Sequence, residues 1–365
     1  MASLLEYTCP NCGGKIEFDS DTQKMKCPYC DTEFDVGTLA AYDEELKGAK
    51  ADEMQWQTPN ETWAENELGD DGVKIYVCES CGGEVVAEAT AAAMRCPWCD
   101  SPIVMKGNVA GSLRPDCVIP FKLDKEAAKE QFRKHLTGKK FLPTVFAEEN
   151  HIDEIKGIYV PFWLFDADAD ANIHYRGTRR HSWRSGDYLY TRTDHYSLIR
   201  EGDLGFSGIP VDGSVKMPDD MMESLEPFPQ KDLAEFQTAY LSGYLADRYD
   251  VSSEDSVTRA NTRVKKSVED YFRSTVNGFG TVTVQSSNVQ IDNGKVRYAL
   301  LPVWILNTTW NGKNYMFAMN GQTGKFVGNL PLDKKAKNKF FWSRFGIASA
   351  ISFAAVALIW LLMHL

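Results

Sequence analysis

The chain has 365 residues, nine cysteines and a formal net charge of -11. Its hydrophobic fraction of 43% and charged fraction of 25% exclude a disordered or collagen-like chain and leave room for two or three modules around at least one sizeable core. The acidic balance also argues against a protein whose main work is neutralising phosphates, because non-specific nucleic-acid affinity comes from clustered Lys and Arg.

The first residues, Met1 to Tyr7, show neither a basic n-region nor an apolar h-region, so no signal peptide is expected. Without one, cysteines in C-x-x-C pairs favour metal over disulfides. Eight of the nine form such pairs. Cys9-Pro-Asn-Cys12 is followed after fourteen residues by Cys27-Pro-Tyr-Cys30, and Cys78-Glu-Ser-Cys81 after fourteen by Cys96-Pro-Trp-Cys99. Each cysteine of the second set lies 69 positions after its counterpart, and Gly13-Gly14 is matched by Gly82-Gly83. This is an internal duplication.

Zinc takes four ligands in a tetrahedron with sulfur about 2.3 Å away. A C-x-x-C turn brings two thiolates to one side of the ion and a hairpin returns the other two. Gly13 and Gly82 fall where the turn favours positive φ, and Asp31 and Asp100, at the matching place in the later turns, tolerate it. Lys15–Phe18 and Glu84–Ala87 read as hairpin strands. Two structural Zn2+ are expected, one on Cys9, Cys12, Cys27 and Cys30, the other on Cys78, Cys81, Cys96 and Cys99; iron suits the same four-sulfur cage. With four protein thiolates each, neither site keeps an open position for catalysis.

Chain order gives ribbon 1 over 1–37, an acidic, partly helical linker over 38–72 ending at Gly69-Asp-Asp-Gly72, and ribbon 2 over 73–107. A joint over 108–116 contains Gly111 and Pro115. A mixed domain follows over 117–332: a short strand at Cys117–Leu123, then a helix capped by Asp124, running through Phe132 and Leu136 and closed by Gly138. Leu233, Phe236, Tyr240 and Tyr244 recur at helical spacing, as do Val257, Val264, Val268 and Phe272. Gly280–Val284 and Tyr315–Met319 read as strands, with a turn over Asn320–Lys325. Tyr159-Val-Pro-Phe-Trp-Leu-Phe-Asp166 matches Leu300-Leu-Pro-Val-Trp-Ile-Leu-Asn307 position by position, which points to two related β-halves, an edge or bulge at each Pro, and core roles for Trp163 and Trp304. The fold class is α+β.

The run Gly346–Leu365 carries no Asp, Glu, Lys or Arg and has the length of a membrane span. Lys334, Lys335, Lys337, Lys339 and Arg344 lie in the segment 333–345 before it. These residues suggest a single-pass protein of the cell membrane, tail-anchored, with its N-terminal portion cytosolic, and a basic segment able to meet anionic lipid.

Residues 174–200 interleave His174, His181 and His195 with arginines and aromatics. Arg176, Arg179, Arg180, Arg184 and Arg192 are candidate anion-binding residues there, set against a solvated hairpin turning at Ser185-Gly186-Asp187. The three histidines match no common ligand spacing. Asp166, Asp168 and Asp170 imitate a calcium loop, but position twelve is Gly177, so alternate carboxylates on a solvent-facing strand are expected. Cys117 reads as a buried thiol. No G-x-S-x-G, H-E-x-x-H, P-loop or Rossmann fingerprint occurs, so no enzyme is expected.

The two cysteine sets resemble zinc ribbons of the general transcription factor B (TFIIB) type. With the Val-Pro-Phe-Trp and Leu-Pro-Val-Trp strands and the apolar tail, the whole layout resembles a bacterial family of membrane-anchored TFIIB-type zinc-ribbon proteins, some of which are associated with phage-shock-protein-A membrane-stress loci. That resemblance implies a non-enzymatic adaptor that recruits a protein partner to the membrane, with a phage-shock-protein-A-related system as the candidate. The alternative is a membrane-tethered nucleic-acid-binding regulator. Against it, residues 1–37 hold seven acidic side chains and three lysines, a surface that repels phosphate.

Overall fold

The computed structural model describes residues 7–39, 51–63, 73–88, 95–108, 112–139, 141–148, 152 and 154–363. Gly69–Gly72, Gly111 and most of the expected linker lie outside them. The chain folds into two compact units, each assembled from three separate stretches: residues 1–57, 166–209 and 258–295 form one, and residues 58–165, 210–257 and 296–365 the other.

The first unit holds ribbon 1, a three-stranded antiparallel sheet of Glu17–Asp19, Lys24–Lys26 and Glu33–Phe34. Its small core is Cys9, Ile16, Cys27 and Leu39. A second core forms where Ala167, Ala169, Ala171, Ile173 and Tyr175 pack on Val264, Val268 and Phe272 of the helix Ser253–Ser274. Between the alanines, Asp168 and Asp170 face solvent, and Asp166 accepts from the Gly208 N–H at 2.7 Å. This is the alternation of a half-buried strand. Within the stretch expected as a partly helical linker, Glu53–Gln57 is a strand pairing in parallel with the residues around Gln290.

The repeat becomes a reciprocal exchange. Each half runs short strand, helix, long strand, return strand. The first half uses Cys117–Val118, Lys125–Leu136, Lys156–Ser185 and Tyr188–Asp212. The second uses Leu245–Asp247, Ser253–Ser274, Thr281–Trp310 and Lys313–Asn320. Each short strand pairs in parallel with the long strand of the other half: Val118 with Leu300, and Ala246 with Tyr159. The motif tryptophans follow suit. Trp304 donates its indole N–H to Leu123 O and Trp163 to Val251 O, both at 3.0 Å, each acceptor standing two residues ahead of a helix of the opposite half. Both rings are buried, so these bonds satisfy donors that burial would otherwise strand. Pro161 and Pro302 are interior to long strands rather than at edges, and their carbonyls accept from Gly213 and Gly321 at 2.9 Å.

The Asp124 cap is present, its Oδ1 accepting from the Ala127 N–H at 2.8 Å, and Gly138 has φ +76. The hairpin turns at Gly186 and Gly324 are also as expected. The helix over Leu233, Phe236, Tyr240 and Tyr244 is not. That stretch forms a two-residue strand and one short 3-10 turn, because its aromatics answer to distant partners: Tyr244 stacks on Phe121 at 4.1 Å and Phe236 meets Trp63 edge-on at 5.6 Å.

The transmembrane expectation requires correction. The C-terminal helix is continuous over Lys334–Met363, begun by Asp333, which accepts from the N–H groups of Lys335 and Ala336. Among the described residues no helix is long and apolar enough to cross a membrane. Lys334, Lys335, Lys337, Lys339 and Arg344 lie within the helix rather than ahead of it. The fold class is therefore a mixed sheet with helices and two four-cysteine clusters. The single-pass, tail-anchored placement and its cytosolic orientation lose the helix on which they rested.

Candidate metal centres

Four C-x-x-C turns fold in the same way. In each, the first cysteine's carbonyl accepts from the residue four positions on, and its N–H donates to the carbonyl five on. In the first turn these are Gly13 N–H to Cys9 O (2.8 Å) and Cys9 N–H to Gly14 O (2.7 Å); the turns opened by Cys27, Cys78 and Cys96 repeat the pattern. Closing so tight a loop puts the residue after the second cysteine at positive φ: Gly13 +75, Asp31 +55, Gly82 +71 and Asp100 +59. Glycine takes that conformation freely and aspartate at modest cost. The next residue, Gly14 or Gly83, lies under an aromatic ring, where a Cβ would come within 2.5 Å of Tyr29 Cδ2 or 2.8 Å of Trp98 Cδ1.

Two groups of four sulfurs result, Cys9, Cys12, Cys27 and Cys30 in one and Cys78, Cys81, Cys96 and Cys99 in the other, each with all Sγ atoms within 4.8 Å of one another. The closest pairs are Cys9–Cys30 at 3.6 Å and Cys12–Cys27, Cys78–Cys99 and Cys81–Cys96 at 3.5 Å. A tetrahedron with metal–sulfur bonds of about 2.3 Å has sulfur–sulfur edges of about 3.8 Å, whereas a disulfide closes to about 2.05 Å. Both sets fit the first distance and none the second, so each can hold one metal ion. Bound there, an ion would cross-link two turns and neutralise thiolate charge.

The thiols differ within each set. Burial pushes Cys9 up to about 12 and raises Cys96 further. Cys30 is pulled down to about 6, chiefly by the Thr32 hydroxyl at 3.1 Å. At Cys99 burial opposes the shift, but the Ser101 hydroxyl and backbone bring it to about 6. Thr32 and Ser101 are duplicates of one another, 69 positions apart.

Each cluster is held from behind by a cation on a long strand. Arg176 donates to the carbonyls of Pro10 and Asn11 in the first unit. In the second, Lys156 donates to Cys96 O at 3.2 Å and to Asp100 Oδ1 at 2.6 Å, while Asn307 donates to Pro97 O. Cysteine spacing carries no signal of these supports, since they come from residues 56 to 210 positions away.

The two ribbons differ in setting. Cys78, Cys96 and Trp98 belong to the main core of their unit, and Glu84–Glu88 pairs with Leu245–Asp247, making ribbon 2 continuous with the large sheet. Ribbon 1 keeps its own small core and leaves Phe18 and Tyr29 54% and 74% exposed, where the duplicates in ribbon 2, Ala87 and Trp98, are 1% and 8% exposed.

The other candidates scatter. Arg176 is committed to ribbon 1; Arg179 lies over Tyr196 and Phe279 and donates to Gly278 O; Arg192 pairs with Asp194 at 2.9 Å. Arg180 and Arg184 are exposed near the hairpin tip, beside Trp183 stacked on Tyr190. The structure therefore does not bring the five arginines together. His174, His181 and His195 form no metal-binding group among the described residues. Cys117 is buried, its thiol near Tyr298 O at 3.9 Å.

These features define the class: a protein with two duplicated four-cysteine clusters, each able to hold a metal ion, on a mixed sheet with exchanged halves. The chain is 34% identical over 360 residues to the "Uncharacterized protein YdjG" of Bacillus subtilis (strain 168), covering 99% of this chain and 98% of that one. It belongs to the YdjG family. No family model matches it, and no solved structure matches it.

Proposed function

We propose that this protein is a non-enzymatic adaptor whose metal is zinc in both TFIIB-type ribbons. Ribbon 2 builds the scaffold and ribbon 1 receives a protein partner. The observation that carries this reading is the contrast between duplicates: the positions that ribbon 2 buries, Ala87 and Trp98, are offered to solvent by ribbon 1 as Phe18 and Tyr29. Two large apolar side chains exposed on a small module favour an interaction surface there. They are flanked by Glu17, Asp19, Asp21 and Asp35, while Lys24 and Lys26 are engaged with Glu33 and Asp31. The complementary partner has an apolar face rimmed by basic residues, and the family resemblance suggests a phage-shock-protein-A-related protein.

The test is affinity capture with the full chain, followed by a binding titration against the recovered protein. The double substitution Phe18→Ser, Tyr29→Ala is expected to abolish capture with metal content unchanged, and Arg180→Glu with Arg184→Glu to leave it intact. Nucleic-acid binding that falls steeply with salt and vanishes in the arginine variant would overturn the adaptor reading.

A further inference from the structure

In the second unit, beside the second cysteine cluster, a cleft of about 630 Å³ opens between ribbon 2 and the motif strands. That is the size of a small-molecule site. Its charged lining residues are Arg95, Lys125 and Lys156, and no carboxylate lines it among the described residues. In a chain of net charge -11, three cations on one concave wall are the reverse of the average surface.

Two of the three cations are tethered to ribbon 2. Lys156 is fixed by Cys96 O and Asp100, and Arg95 by Asp100 Oδ2 at 3.1 Å. Lys125, in the first turn of its helix, is exposed and has no ion-pair partner among the described residues. Tyr244 forms part of the apolar floor, held flat on Phe121 with an interplanar angle of 5°. Beside it Trp304 is pinned through its bond to Leu123 O. An aromatic floor offers apolar area that a bound ligand would remove from water.

We infer that this cleft binds a small amphipathic anion, with a carboxylate or phosphate head between Arg95, Lys125 and Lys156 and an apolar body against Tyr244 and Trp304. An acidic head there competes with Asp100 for Arg95 and Lys156. Because Asp100 closes the last turn of ribbon 2, the ligand and the second metal centre share a residue. The inference stands apart from the adaptor reading and makes no use of ribbon 1.

Calorimetric titration of the full, metal-loaded chain tests it with three probes: 1-naphthyl phosphate, 1-naphthoate and neutral 1-naphthol. One or both anions are expected to saturate at one per chain, at least tenfold tighter than 1-naphthol, and the tighter of the two identifies the head group. Lys125→Glu and Arg95→Glu are each expected to weaken the anion tenfold or more while metal content and circular dichroism stay unchanged. If Arg95→Glu disturbs the fold, Lys125→Gln decides, its side chain being exposed. Saturation by no probe, equal binding of 1-naphthol, or anion binding indifferent to these substitutions would overturn the site.

Discussion

Tyr29 and Trp98 are the same residue position in two copies of one ribbon, each laying its ring over the glycine that follows the first turn, yet Tyr29 is 74% exposed and Trp98 8%. One copy has been absorbed into a core and the other has kept its surface. Opposite consequences follow for substitution at the two places.

Trp98→Ala removes a ring from the main core and is expected to cost about 3–5 kcal/mol, the range for a large buried aromatic. Tyr29→Ala, at an exposed position, should stay within about 0.5 kcal/mol and act on partner capture instead. Urea unfolding of the two variants measures the difference; comparable losses of stability would contradict the division between scaffold and docking ribbon.

Cys9→Ser and Cys78→Ser are each expected to lower bound metal from two ions per chain to one, as read by elemental analysis. The accompanying loss of thermal stability should be larger for Cys78→Ser, because Cys78 belongs to the main core while Cys9 belongs to the small core of ribbon 1. Binding a structural ion and folding its module are one free energy, so the ribbon that shares its core shares the damage.

Arg176→Ala leaves all eight thiols in place but removes the donor to Pro10 O and Asn11 O. Outer contacts of this kind are worth about 10- to 100-fold in metal affinity. Chelator competition should therefore show one of the two ions released more readily, with the second unaffected.

Asp247 supplies a pH dependence. Burial raises its carboxyl from 3.8 to about 7, against the opposing pull of the Ser214 hydroxyl and Lys216, with Asp250 adding to the rise. A folded-state value above the unfolded one means that the native protein binds more protons between those limits. Stability is thus fullest below about pH 4 for this group and is lost as pH rises through about 7, by an amount on the order of 4 kcal/mol at most. Denaturation midpoints for Asp247→Asn, compared with the parent at about pH 5 and about pH 8, either side of that titration, should show the slope flattened; an unchanged slope would place the titration elsewhere.

Local chemistry made the metal centres legible in the sequence. Four cysteines at fixed spacing, repeated 69 positions on, require little beyond turn geometry, and the positive φ at Asp31 and Asp100 follows from the same spacing. The helix Ser253–Ser274 was likewise readable from Val257, Val264, Val268 and Phe272 because its partners bury one continuous stripe. Leu233 to Tyr244 showed similar spacing without being a helix, since Phe236 and Tyr244 are claimed by Trp63 and Phe121 across more than 100 positions. The supports behind the clusters, Arg176, Lys156 and Asn307, are equally long-range, and nothing local in their neighbourhoods announces a carbonyl to bind. The uncharged tail suggested a span by composition alone, although the helix containing it begins among lysines.

The exchange of short strands between halves bears on how the protein is made. Cys117 and Val118 leave the ribosome long before Ala299 and Leu300, the residues they pair with. The sheet of the second unit therefore cannot close until about 180 further residues have been synthesised, and a chain cut short inside the second half strands an unpaired edge in the first. Contacts so distant in sequence are slow to form, and open edges invite association with other chains. For this protein, truncation from the C-terminal side is an attack on the N-terminal half, and the nascent chain is the form most in need of a chaperone.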